Sequence, residues 1–123
     1  MITGIVTREL EAVLDICLQG ANRQVETLPA VIDTGFDGFI TLPPDLIAEM
    51  GSPFVGTERV VLADGSETVF RVFVVAIHWH GQSRLISALE VDAGALVGMA
   101  LLYGSRLSMN VVEEGLVQIE SIE

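Results

Sequence analysis

Lysine is absent from this chain of 123 residues, and its fixed cations are six arginines spread from Arg8 to Arg106. Against 17 Asp and Glu they leave a formal charge of −11. Phosphate backbones are held by clustered Lys and Arg, so nucleic acid is excluded as a partner class. Cysteine occurs once, at Cys17, which rules out an internal disulfide framework and fits a reducing cytoplasm. Long hydrophobic runs are missing too. Gly, Asp, Arg or Pro breaks each apolar stretch before it reaches membrane-spanning length, so no membrane partner is expected. The first residues show no basic segment followed by an apolar block, so no leader is visible and a cytoplasmic location is expected. A phosphate-binding loop is absent as well: Gly35-x-x-Gly38 lacks the lysine and the helix start that such a loop needs.

What is present is apolar. Half of the residues are hydrophobic, enough for one folded core and one domain over residues 1–123. Glu11 to Gln19 alternates, with Ala12, Leu14, Ile16 and Leu18 on one side, which predicts a half-buried strand. Met1–Thr7, Gln24–Asp33, Thr57–Ala63, Ser66–His80 and Arg84–Val91 also read as strands, and Leu107–Val112 with Leu116–Ile122 as a closing hairpin. Pro29 marks an edge or a bend in the third of these. Val69–Ile77 is apolar on both faces, which predicts cover on both sides. Ser52–Gly56 reads as a loop, and Asp64-Gly65 as a two-residue hairpin turn. Two short helices complete the pattern. Pro43 to Gly51 has prolines in the first turn, Asp45 near the N-terminus and Gly51 at the end. Ala95 to Tyr103 is the second, stopped by Gly104. The fold class is therefore all-β.

The chemistry concentrates where the third strand ends. Val31 and Ile32 run into Asp33-Thr34-Gly35, so a carboxylate stands where a buried strand opens into a tight loop. Such a group needs hydrogen bonds, and Gly35 and Gly38 leave backbone N–H groups able to supply them. A bare Asp-Thr-Gly is equally compatible with a simple turn in which the aspartate bonds its own loop. Other residues carry less. His78-Trp79-His80 places two imidazoles at strand spacing without a third ligand nearby, so no metal is expected. Cys17 reads as a small apolar residue of core or interface. Asp92-Ala93-Gly94 lacks the hydroxyl and reads as a structural turn, and Glu113-Glu114 as a solvated one.

In order along the chain, four features resemble the retropepsin-like aspartic proteases. They are the apolar strand into Asp33-Thr34-Gly35, the hairpin Val60–Ser66 at the family's flap position, the motif Leu96-Val97-Gly98, and a short helix Met99–Tyr103 before a final strand. The resemblance implies a closed retropepsin-like β-barrel with two short helices. It implies an aspartic endopeptidase without cofactor, in which two carboxylates share one proton across a water and act as general base and general acid. This chain has one Asp-Thr-Gly, so the resemblance further implies a two-fold homodimer acting on a peptide or protein substrate. Position by position, Asp33 would be catalytic, Thr34 would bond across the dimer axis, and Gly35 would admit substrate closely. Asp37 would contact substrate backbone, and Ala63, Asp64 and Gly65 would form the flap tip. Relatives often have a polar residue after the Leu96-Val97-Gly98 motif that braces the active loop; here Met99 and Ala100 stand there. The other reading of the residues is a dimeric β-barrel without proteolytic activity that binds peptide or scaffolds an assembly.

Overall fold

A computed structural model describes residues 1–122. Ten strands and two short helices follow one another as β1 (Ile2–Val6), β2 (Ala12–Gln19), β3 (Val25–Ile32), β4 (Ile40–Leu42), α1 (Pro44–Met50), β5 (Phe54–Val61), β6 (Glu67–Trp79), β7 (Gln82–Glu90), β8 (Ala95–Val97), α2 (Met99–Leu102), β9 (Ser105–Met109) and β10 (Leu116–Ser121). The strands form one sheet in the order β5-β6-β7-β4-β8-β3-β2-β1-β10-β9, and β6 also pairs with β2. That extra pairing closes β6, β7, β4, β8, β3 and β2 into a barrel, which removes most open edges.

Period-2 alternation fills the barrel. Leu14, Ile16 and Leu18 of β2 point inward with Phe73, Val75, Ile77 and Trp79 of β6, Ile86 and Ala88 of β7, and Ile40, Leu42 and Val97. Burying each such side chain is worth roughly 1.5–3 kcal/mol. Helix α1 covers one side with Ile47 and Met50, and it ends at Gly51, whose N–H donates to the Ala48 carbonyl and whose positive φ lets the next N–H, of Ser52, reach the Ile47 carbonyl. Pro29 falls opposite Asp15 of β2, just before β3 gains its second partner at Ala30, so the missing N–H leaves no ladder bond unmade. On the barrel's outside, Arg71 grips Glu90 through two bonds of 2.9 and 2.8 Å, which raises the guanidinium's pKa and lowers the carboxyl's.

Four local expectations change. Ala95–Val97 is a strand, not the start of a helix; it pairs in parallel with Ala30–Ile32 and antiparallel with Ile40-Thr41. Phe54–Gly56 belongs to β5, with a register shift between Phe54 and Gly56 in place of a loop. The β5–β6 connection spans Leu62–Ser66 and is wider than a two-residue turn, whereas His80-Gly81 makes a tight two-residue turn with positive φ at both positions. Cover on both faces of β6 fails at its start: Val69 is exposed, since β7 joins only from Val72 onward.

Candidate active site

The Asp33 loop is held on both flanks by backbone. On the strand side, Asp33 N–H donates to the Val97 carbonyl at 2.9 Å, continuing the parallel β3–β8 ladder by one residue. Within the loop, Phe36 N–H donates to the Asp33 carbonyl at 3.1 Å, and Gly35 N–H to Asp33 Oδ1 at 2.9 Å. The other carboxylate oxygen has no protein partner among the described residues. Asp33 is half-buried, while Thr34 and Gly35 are exposed.

On the other flank stands the turn from β8 into α2. Gly98 N–H donates to the Phe39 carbonyl at 2.9 Å, Met99 N–H to Phe36 at 2.8 Å, and Ala100 N–H to Gly38 at 3.1 Å. Bracing therefore comes from main-chain amides, and the apolar side chains of Met99 and Ala100 leave it intact. These are N–H groups that a helix start leaves unsatisfied, here used by the loop's carbonyls. The approach requires Gly98. Its φ of −106° suits any residue, but an added Cβ would collide with the Gly38 carbonyl oxygen and lie 2.8 Å from that of Phe36. Leu96 N–H completes the frame by donating to Oγ1 of buried Thr41 at 2.9 Å. Leu96, Val97 and Gly98 thus act together with the Asp33 loop.

Beside this loop lies a cleft of about 390 Å³, lined by Gly35, Phe36 and Asp37 on one side and Glu58, Arg59, Val60 and Val61 of β5 on the other. Of the residues expected to contact substrate, Asp37 lines the cleft. Ala63, Asp64 and Gly65 do not line the cleft; they form the tip of the β5–β6 hairpin beyond it. At that tip Asp64 accepts from Ser66 N–H at 2.9 Å and from Ser66 Oγ at 2.6 Å, and these bonds lower its pKa. Val60 and Val61 belong to the expected flap hairpin, whereas Glu58 and Arg59 carry no sequence signal, because only the folded hairpin brings them over residues 35–37.

The hairpin is weakly tied to the barrel. From Glu67 to Arg71, β6 pairs with β5 alone, so this part projects from the barrel as a two-stranded ribbon, which is marginally stable by itself. We expect amide exchange over residues 58–70 to be at least about a hundredfold faster than over Ala30–Ile32, a gap of roughly 3 kcal/mol in local opening. Hydrogen exchange read by mass spectrometry checks this; equal protection in the two segments would exclude a mobile cover.

The other sequence candidates do not join this site. Asp92-Ala93-Gly94 forms a bend at the end of β7, with Ala93 N–H bonded to the Val91 carbonyl. His78 and His80 do not share a strand face: His80 sits in the turn, its Nε2 2.8 Å from Ser105 Oγ. Among the described residues no group of three His, Cys, Asp or Glu could hold a metal ion. No helix among them is long and apolar enough to cross a membrane.

No family model matches the chain, and no curated protein matches it. Among solved structures, it is similar to a retropepsin-like aspartic protease from Rickettsia conorii, with a TM-score of 0.62 and 14% identity over 99% of this chain and 91% of that one. The barrel of this chain therefore has the retropepsin-like fold.

Proposed function

We propose that the chain is an aspartic endopeptidase that works as a homodimer. The observation that carries this reading is the Asp33 carboxylate, presented on a loop clamped from both flanks beside a cleft under a projecting hairpin. Each chain supplies one Asp33, and two chains related by a two-fold axis supply the pair. A water between the two carboxylates loses a proton to the ionised one as it attacks the peptide carbonyl. The protonated one gives its proton toward the substrate, which stabilises the tetrahedral intermediate. Gly35 N–H, by holding Oδ1, fixes the carboxylate's orientation. Thr34, exposed in the single chain, bonds across the axis.

Substrate lies extended in the cleft. Strand β5 is a sheet edge, with β6 as its one partner among the described residues, so its outer backbone groups are available for strand-like pairing with a peptide. Asp37 contacts substrate backbone, and Ala63, Asp64 and Gly65 close over it from the hairpin tip.

Subunit mixing tests the shared site. Wild-type and Asp33→Asn chains are exchanged at constant total concentration, and turnover of a peptide library is followed with and without a statine-type inhibitor. A site built from both copies needs two wild-type chains, so a half-and-half mixture should retain about a quarter of the activity. A site complete within one chain would retain about half, and that result would overturn the dimeric mechanism.

A further inference from the structure

The barrel end away from the Asp33 loop carries a second cleft. Asp33 is tied to Val97, which lies in register with Ile40, Ala88 and Phe73 across the sheet. Trp79 stands six residues beyond Phe73 on β6, about 20 Å along the strand. There Trp79, His80, Gln82, Arg84 and Tyr103 line a cleft of about 360 Å³. Gln82 is opposite Trp79 and Arg84 opposite Ile77, so both lie on the strand face that carries the buried Ile86 and Ala88 farther along β7. Polar residues replace apolar ones where that face reaches the barrel's end.

Two features at this end of the barrel call for an acceptor. Trp79 is 3% exposed, and its indole Nε1, also buried, has no hydrogen-bond partner among the described residues. An indole N–H only donates, and leaving it unmet carries the full cost of its desolvation. Arg84 belongs to none of the ion pairs found among the described residues, which join Arg59 to Glu67, Arg71 to Glu90 and Arg106 to Glu120. Like Arg8 and Arg23, Arg84 has no carboxylate partner among the described residues, and of the three it is the one that lines this cleft.

We propose that this cleft binds a carboxylate, with Arg84 as its charged partner and Trp79 Nε1–H, Gln82 and Tyr103 as neutral donors. The planar guanidinium fork matches a carboxylate through two parallel bonds. Burial, and to a lesser degree the amino terminus and Arg84, holds the His80 pKa below its usual value, so at neutral pH the imidazole adds no charge. Arg84 is the one fixed cation in the cleft lining, which suits a single negative charge better than a phosphate dianion. The carboxylate can come from a peptide's C-terminus or from an acidic side chain. This assignment does not depend on the peptidase reading.

Trp79 is the only tryptophan, so its indole N–H gives one resonance and its emission one signal. The full chain is titrated at constant ionic strength and neutral pH with four probes. N-acetylglycine stands for a C-terminus, and N-acetyl-aspartic acid amidated at its α-carboxyl stands for an acidic side chain. N-acetylglycinamide and inorganic phosphate are the comparisons. We expect a saturable downfield shift of the indole proton with at least one of the two carboxylates, and the tighter of these identifies the source. The neutral amide should give no saturable response and phosphate a weaker one. Arg84→Gln should weaken carboxylate binding at least tenfold, Arg84→Lys less, and Arg106→Gln not at all. A response to the neutral amide as strong as to the acids, tighter binding of phosphate, no saturable shift with either carboxylate, or unchanged binding in Arg84→Gln would overturn the assignment.

Discussion

Replacing Asp33 by Asn should lower peptide turnover by at least about a hundredfold and leave the fold in place, since a positioned acid–base group contributes typically 10²–10⁴. The substitution is nearly isosteric. The introduced carboxamide keeps an oxygen to accept from Gly35 N–H, so the bond of 2.9 Å that shapes the loop survives. The strand bond to Val97 and the amide bonds from Met99 and Ala100 do not involve the side chain at all. What is lost is a group able to take and return a proton. Thermal unfolding measured beside turnover separates the two effects: the melting temperature should stay within a few degrees while cleavage disappears. Asp92→Asn is the matched control, because Asp92 lies in a bend and outside the cleft. Turnover that survives Asp33→Asn would end the aspartic mechanism. Wild-type protein that binds peptides but never cleaves them would favour the binding-module reading instead.

The second large effect is expected at Gly98. Alanine there drives a methyl group into the Gly38 carbonyl oxygen, 2.8 Å from the Phe36 carbonyl oxygen and 2.5 Å from the Phe36 ring. Two of the three neighbours are main chain, so no side-chain rotation relieves the contact. Overpacking of this kind costs about 1–3 kcal/mol, and near 120 residues each kcal/mol lowers the melting temperature by roughly 4 °C. A fall of about 4–12 °C is therefore expected for Gly98→Ala. Relief must come from separating α2 from the Asp33 loop, which lengthens the bonds from Met99 and Ala100, so catalysis should suffer beyond the loss of stability. Gly94→Ala is the comparison: nothing lies within 4 Å of its added Cβ, and its φ is not positive. It should be close to neutral. Similar melting temperatures for the two variants would mean that the close approach at Gly98 is not a constraint.

Much of the architecture follows from local pattern. Alternation in β2 reads directly as a strand, because a pleated sheet with one buried face imposes period 2 on Leu14, Ile16 and Leu18. Helix α1 is bounded by Pro44 and Gly51, whose backbone preferences act within a few residues. The position of Asp33 is legible for the same reason, since a β-branched run that breaks on a carboxylate, a hydroxyl and a glycine is a local event.

What stayed hidden in the sequence depends on partners distant along the chain. Ala95–Val97 is a short apolar run that suits helix or strand, and its place between β3 and β4 makes it a strand. The brace on the Asp33 loop uses the amides of Met99 and Ala100, and every residue but proline carries that group, so no side-chain pattern signals it. The cleft walls Glu58–Val61 meet residues 35–37 only once the β5–β6 hairpin extends past the barrel. Local backbone states and the place of the Asp33 carboxylate were thus set within the sequence, because short-range sterics and alternation govern both. What clamps that carboxylate and what faces it were left to the tertiary structure, because those contacts join the loop after β3 to β8, α2 and β5, segments far from it along the chain.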